Sequence, residues 1–402
     1  MTAPGPAAVI LAAGKSTRMG RDKPLLPLAD RTVVERVIGL FQTAGIADIR
    51  VVVGHHRERL VPVVRKAGAW AVFNPDFQDG MFTSVLAGLA TLDPVCPGVM
   101  VLPVDVPLIR PSTILRLVDT WQSTTQNGGV QGDAGRTILH PTFQGRRGHP
   151  PLIGGRHIAD ILKWHGNGGL RTYLAMWPAA REIPVADRFI LMDMDTPEDY
   201  EGIARNCLGY DVPSAEECRA LMVDVLAVAP PVWAHCRAVA DVAVTLGHAL
   251  NQAEGAGPAG GLLSLDLIRA AALVHDLARE QPDHAHAGAA CLRAMGFPAV
   301  ADIVAVHMAL PPGREDTPGE AEVVFLADKL VAEDIRVTLE ERFQRRMARF
   351  ADRPASSASA ARRFGQASAV REAIEKRTGL PVESILGERR FRRSHSDYLC
   401  LF

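Results

Sequence analysis

Between residues 7 and 204, short apolar runs alternate with stretches of helical periodicity. AAVIL (7–11) is a continuous apolar run, the signature of a strand buried on both faces. TVVERVIGLFQTAG (32–45) places Val33, Val34, Val37, Ile38 and Phe41 on one helical stripe and stops at Gly45. IRVVVG (49–54) and GVMVLPVDVP (98–107) read as strands, and TSVLAGLATL (83–92) and STILRLVDTWQ (112–122) as helices. This rhythm predicts an α/β domain with a mostly parallel sheet covered on both faces. Ligands of such sheets sit at the carboxyl ends of the strands, where the loop after AAVIL and Asp105 both fall.

From about residue 213 the pattern changes. SAEECRALMVDVLAV, VWAHCRAVADVAVTLGHAL, LDLIRAAALVHDLARE, HAGAACLRAMG, VADIVAVHMA and GEAEVVFLADKLVAEDIRVTLEERF all read as helices, with no strand between them. The predicted organisation is an α/β domain over 1–205 and an all-α domain over 213–350. An Arg-rich tail, helical or loosely ordered, follows over 351–402. AEGAGPAGG (253–261) reads as a flexible loop and GERRFRRSHSDYLCLF (387–402) as a basic tail.

The loop LAAGKSTRMGRDKP (11–24) carries Lys15, Arg18, Arg21 and Lys23. Five residues separate Gly14 from Gly20 and Arg21 follows, so the spacing is not that of a Walker A loop. The glycine spacing of a dinucleotide fingerprint is also absent, and Pro24 and Pro27 break any helix there. Two readings remain, a solvated basic turn and a broad nucleotide loop. In the second, backbone N–H groups around Ala12, Ala13 and Gly14 face a base or ribose while Arg18 and Lys23 neutralise a triphosphate.

This stretch resembles the signature of nucleotidyltransferases that act on the molybdenum cofactor and on sugar phosphates. DGMFTSVLAGL (79–89), PVDVPLI (103–109), RRGHPPLI (146–153), GNGGLRTYL (166–174) and DMDTPEDY (193–200) resemble further motifs of that family, in order. The resemblance implies a Rossmann-like fold, with Leu11, Ala12, Ala13, Gly14, Arg18 and Lys23 binding the nucleotide. It also implies Mg²⁺ on Asp105 and on Asp193 or Asp195, the latter favoured, and acceptor binding by Ser84, His149 and Arg171. His149 also reads as a core histidine and Arg171 as a surface arginine. ILMDMD reads as strand-like, which puts Asp193 and Asp195 on one face. Thr196, Pro197 and Asp199 read as the cap of a helix. LAAG resembles the cytidylyltransferase branch, implying CTP and molybdopterin as substrates and a molybdoenzyme or its chaperone as partner. GTP or a sugar-phosphate acceptor is the alternative. Phe82 and Thr83 depart from the family pattern, which has small or basic residues there, and this bears on acceptor choice.

In the helical half, His235, His275-Asp276, His284, His307 and Asp328 follow the order H…HD…H…H…D. With LVHDLAR, HAHAGAACL and FLADKL, this resembles the HD-domain metal-dependent phosphohydrolases. Imidazoles with carboxylates suit one or two ions of iron, manganese, nickel or zinc. His275 and Asp276 would point about 100° apart on a helix, and can still share a dinuclear centre if Asp276 bridges two ions. His235, His275, Asp276 and Asp328 would hold one, and His284 and His307 would complete the other. His286 competes with His284, which the spacing favours. Arg18, Lys23, Asp105, His275 and Asp276 are the expected catalytic set. A non-catalytic nucleotide sensor is the alternative for this half.

The formal net charge of −1 excludes a general nucleic-acid binder. The six cysteines, Cys96, Cys207, Cys218, Cys236, Cys291 and Cys400, show no CxxC pairing, which predicts thiols in a reducing cytoplasm. The N-terminus has no basic n-region, and no apolar stretch approaches a membrane span.

Overall fold

The computed structural model describes residues 5–126, 134–253, 261–349 and 354–387. Most of the 253–261 loop, residues 351–353 and residues 388–402, with Cys400, lie outside the described residues. The chain divides into two compact units, Met1–Tyr210 and Asp211–Phe402.

The first unit is built on one sheet. Its strands are β1 (Ala7–Ala12), β4 (Ile49–Val53), β5 (Trp70–Phe73), β6 (Gly98–Pro103), β7 (Ile138–Phe143), β8 (Arg146–Arg147), β9 (Leu152–Gly154) and β10 (Arg181–Pro184). A separate short hairpin pairs β2 (Pro27–Leu28) with β3 (Arg31–Thr32). The sheet order is β10-β7-β9-β6-β1-β4-β5, with β8 on β7. β6, β1, β4 and β5 are parallel, and β9 runs antiparallel to both β6 and β7. Every residue of β1 is buried, as its uninterrupted apolar run requires.

Helices α1 (Val33–Thr43), α2 (Arg57–Lys66), α3 (Met81–Leu89), α4 (Pro111–Gln126), α5 (Arg156–Leu162), α6 (Gly169–Ala175) and α7 (Pro197–Leu208) complete the unit. α1 begins with a reciprocal cap between Thr32 and Glu35 and buries the predicted stripe of Val33, Val34, Val37, Ile38 and Phe41. α3 crosses β1 and β4 at Gly88, where a Cβ would meet Val9 Cγ1 at 2.4 Å. Any side chain there would push α3 off the sheet. ILMDMD is not a strand. Arg188–Leu191 form a 3₁₀ turn and residues 192–195 belong to no helix or strand. Alternation sets which face a side chain takes, and Met194 is indeed fully buried between two wetter aspartates, but it does not supply a neighbouring strand.

The second unit comprises α8 (Ala215–Arg219), a π-helical segment (Ala220–Val225), α9 (Pro230–Gln252), α10 (Leu265–Val274), α11 (His284–Ala294), α12 (Pro298–Val306), α13 (Glu320–Lys329), α14 (Leu339–Arg349), α15 (Pro354–Thr378) and α16 (Val382–Leu386). α13 is buried from Ala321 through Lys329 and packs against α9, α10, α12 and α15. An all-round buried helix is the centre of such a bundle.

Three expectations change here. A small antiparallel hairpin, β11 (Val331–Ala332) with β12 (Ile335–Arg336), interrupts what reads as one long helix. Glu333 turns it at φ +59°, and two-residue strands leave no period to detect. α10 ends at Val274, so His275 and Asp276 occupy the turn after the helix and not its face. Residues 354–387 take the helical one of the two expected forms, but they are packed where a tail was expected. Ala360, Ala367, Val370, Ile374 and Val382 are buried, because small and aliphatic residues among the arginines give α15 and α16 a core-facing side. No helix among the described residues is long and apolar enough to cross a membrane.

Candidate active sites

In the first unit the loop after β1 and the segment after β6 meet at the carboxyl edge of the sheet, where Val104 N–H donates to Leu11 O at 3.1 Å. The loop is held by its own bonds. Met19 and Gly20 N–H donate to Ser16 O, and Lys23 N–H donates to Ser16 Oγ. Leu11, Ala12 and Ala13 are buried, while Gly14 and Arg18 are exposed. Lys23 is brought inward by a 3₁₀ turn with Pro24. Its Nζ donates to Asp195 Oδ1 at 2.7 Å and to Asp105 Oδ2 at 3.3 Å, and Arg18 donates to Asp195 Oδ2 at 2.8 Å. Four predicted residues from three distant segments thus converge.

Their electrostatics differ. Burial raises the Asp105 carboxyl above its ordinary pKa, and the Lys23 charge opposes this without overcoming it. The hydrogen bond from Lys23 lowers that of Asp195. Burial also lowers the His149 imidazole, against the pull of Asp105 and Asp193. Asp195 is fixed by the predicted cap. Thr196 and Asp199 bond reciprocally, and Asp199 Oδ2 also accepts from Asp195 N–H at 3.0 Å.

Three predicted site residues make no bond to this cluster. Asp193 is exposed and has no bond to Lys23 or Arg18. Ser84 is buried, and its hydroxyl accepts from Asn74 Nδ2 at 3.0 Å. Arg171 is exposed on α6. Thr83 is absorbed by Asn74, Asp76 O and Gly80 O, whereas Phe82 faces α6. A Cβ on Gly169 would come within 3.2 Å of Phe82 Cβ. Sequence reasoning missed Asn74, and it missed the grip of His56 and Arg59 on Asp22 of the loop. The polar run HHRER directly after a buried strand is the signal for the latter.

Two carboxylates sharing one cation are the donor set Mg²⁺ takes, since it uses one or two carboxylates plus phosphate oxygens. Asp105 and Asp195 fit it.

The second unit gathers all six predicted ligands. His235, His275 and Asp276 form one group and Asp276, His284 and His307 another, with ligand atoms within 4.8 Å of one another. The four imidazoles form a row, with successive centroids at 5.3, 5.1 and 5.2 Å from His235 through His275 and His307 to His284. Asp276 divides its oxygens. Oδ2 lies 3.7 Å from His275 Nε2 and 4.0 Å from His235 Nε2, and Oδ1 lies 3.4 Å from His284 Nε2 and 3.7 Å from His307 Nε2. Asp328 Oδ1 joins the first group, 3.1 Å from His235 Nε2 and 3.8 Å from His275 Nε2.

The outer ring atoms are committed to backbone. His235 Nδ1 bonds Glu333 O at 2.6 Å, His275 Nδ1 bonds Ala272 O at 2.8 Å and His307 Nδ1 bonds Val304 O at 2.6 Å. The carbonyls are acceptors, so each Nδ1 carries a proton; the Nε2 atoms of His275 and His307 then present lone pairs inward, while His235 Nε2 bonds Asp328 Oδ1 at 3.1 Å. His275 Nε2 and His307 Nε2 are buried without a hydrogen-bond partner. Burial pushes His275 down to about 4, keeping it neutral. Burial would raise Asp276 and Asp328, but both are held low, with the Arg279 charge beside Asp276 and the Lys329 charge beside Asp328 among the groups that outweigh it. A neutral His275 and ionised carboxylates around orphaned lone pairs fit a metal pair. His286 is exposed and bonds Asp283. Sequence reasoning missed Arg279, which pairs with Asp276 three residues back, and Lys329, which donates to Asp328 Oδ2 and His307 O.

Residues 8–183 match the family model of the MobA-like NTP transferase domain, and residues 232–333 that of the HD domain. A curated relative, the bifunctional protein GlmU of Gloeobacter violaceus, is 36% identical over 184 residues, 43% of this chain and 39% of that protein. Among solved structures, Rv0371c of Mycobacterium tuberculosis is similar over 51% of this chain and 100% of its own, at 26% identity and a TM-score of 0.42. The molybdopterin-guanine dinucleotide biosynthesis protein A of Archaeoglobus fulgidus is similar over 50% of this chain and 99% of its own, at 16% identity and a TM-score of 0.35.

Proposed function

With residues 8–183 a MobA-like NTP transferase domain and residues 232–333 an HD domain, we propose a bifunctional enzyme. The first unit moves CMP from CTP to the terminal phosphate of molybdopterin. The second hydrolyses a nucleotide-type phosphoester. The observation that carries the first reading is Lys23 between Asp105 and Asp195, two carboxylates 90 positions apart joined at one cation. In the transfer, an oxygen of the acceptor phosphate bonds the α-phosphorus and the bond to the β-phosphate oxygen breaks, releasing pyrophosphate. Mg²⁺ at these carboxylates would neutralise the charge that develops on the phosphate oxygens. Lys23 and Arg18 lie where they can add to that, and no side-chain nucleophile is needed.

The choice of CTP rests on the resemblance of LAAG to the cytidylyltransferase branch, and Ala12 and Ala13 of that stretch are buried where the strand ends. A reducing compartment suits the reading, since none of the described cysteines is disulfide-bonded. Assays pairing labelled CTP, GTP and UTP with molybdopterin and with sugar phosphates test it. The expected product is the cytosine dinucleotide of molybdopterin. Turnover with a sugar phosphate and not with molybdopterin would sink the acceptor assignment. That second reading draws on Phe82, the departure from the family pattern that faces α6. For the second unit, the divided oxygens of Asp276 support hydrolysis: Asp276 with His235 and His275, and with His284 and His307, would hold metal ions, which would supply Lewis acidity toward water and a phosphate. A purified chain with neither transition metal nor phosphatase activity would make this half a sensor.

A further inference from the structure

The family match of the second unit ends at residue 333, yet the chain goes on to build contacts into the metal centre. Resting on the metal reading above, we propose that Arg336 and Arg342 are positioning residues for the His235/His275/Asp276/Asp328 site. They make α14 and α16 part of that site and not of its neighbour.

The link is the strap between α13 and α14. Asp328 is the next-to-last residue of α13, and the β11–β12 hairpin follows after Leu330. Glu333, at the hairpin turn, gives its carbonyl to His235 Nδ1 at 2.6 Å. That bond sets the ring's orientation, so the strap's position decides where Nε2 points. Nothing in so short a hairpin fixes that position by itself. Two arginines do so. Arg342 of α14 donates through Nη1 to Val331 O and places Nη2 3.6 Å from Asp328 Oδ1. Arg336 donates to Leu386 O at 2.7 Å and to Gly387 O, tying β12 to the end of α16. The helices behind them are anchored by apolar contacts. Phe343 of α14 meets Phe364 of α15 at 5.2 Å between centroids, and α16, with Val382 buried, packs against α9, the helix that carries His235.

The other site is not held by these two arginines; its link to the end of α13 is Lys329, which donates to His307 O. His307 Nδ1 bonds Val304 O within its own helical turn, and His284 opens α11. Neither Arg336 nor Arg342 donates to a residue of that group. Loss of the strap therefore misaligns two ligands of the first site, Asp328 and His235, and leaves the Asp276/His284/His307 group intact.

Manganese titration of the full-length chain, by calorimetry and by electron paramagnetic resonance of coupled ions, tests this. Wild type is expected to bind two ions with separable affinities. Arg342→Ala and Arg336→Ala should each weaken one of the two about 10- to 100-fold, the range for lost outer-shell partners, and lose the coupled signal. The other affinity should stay unchanged, and Arg342→Lys should restore part of the loss. Glu333→Val is a third route to the same split, since a β-branched residue resists the left-handed backbone at this turn. A merely structural role would weaken both ions together. That result, or unmoved affinities in all three weakening variants, overturns the proposal while the metal reading stands. A wild-type chain that binds no manganese overturns both.

Discussion

Lys23 stands between the two carboxylates proposed to hold Mg²⁺, and the two respond to pH in opposite directions. The Asp195 pKa is lower in the folded state, so its contribution to stability is present above the unfolded value and is lost as pH falls through the folded one. The Asp105 pKa is raised by burial, so ionising it works against the fold, and its cost disappears as pH falls below the unfolded value. Asp105→Asn should therefore abolish transfer and, at neutral pH, leave the Tm of the first unit unchanged or higher. Thermal shifts read against pH should show any such gain shrinking toward acid, where wild-type Asp105 is itself protonated. A Tm several degrees lower at neutral pH would mean that Asp105 is a net stabiliser. In the second unit, His284 and His286 are a matched pair two residues apart, one facing Asp276 and the other solvent. His284→Ala should lose one of two bound metal ions by elemental analysis, and His286→Ala should lose none.

At the scale of elements, caps and turns do the placing. The reciprocal cap of Thr196 and Asp199 opens α7 and also holds Asp195 N–H. Thr196→Ala should cost about 1 kcal/mol in denaturant unfolding of the first unit. It should also raise KM for the nucleotide, because Asp195 loses the bond network behind it; an unchanged KM would separate the cap from the site. This cap was legible in the sequence, since Thr-Pro-Glu-Asp carries its own local signature. The buried strands and the stripe of α1 were legible for the same reason, as burial writes a period into the residues that meet the core. What escaped has no period. α10 stops at Val274 although the apolar pattern runs on, and His275 closes the turn by bonding Ala272 O. His307 ends α12 in the same way, on Val304 O. These imidazoles serve as helix stops and as candidate ligands together, and only the ligand role shows in their order along the chain. Glu333 escaped entirely, because it acts through a backbone carbonyl that any residue possesses.

For the whole molecule, the decisive feature is that each candidate site is complete within one compact unit. Arg18, Lys23, Asp105 and Asp195 all lie before Tyr210, and the six imidazole and carboxylate ligands all lie after Asp211. Each unit also has its own buried centre, β1 in the first and α13 in the second. No catalytic group needs to be lent across the boundary, so the two activities should be separable by single substitutions in the intact chain. Asp105→Ala should remove nucleotidyl transfer and leave metal-dependent phosphohydrolysis at the wild-type rate. Asp276→Ala should do the reverse, because it withdraws both oxygens of the one residue shared by the two metal groups. Both rates are measured on one preparation, with circular dichroism confirming the fold. If either substitution silences both reactions in a folded protein, the sites are not independent, and the chain runs one reaction where two are proposed.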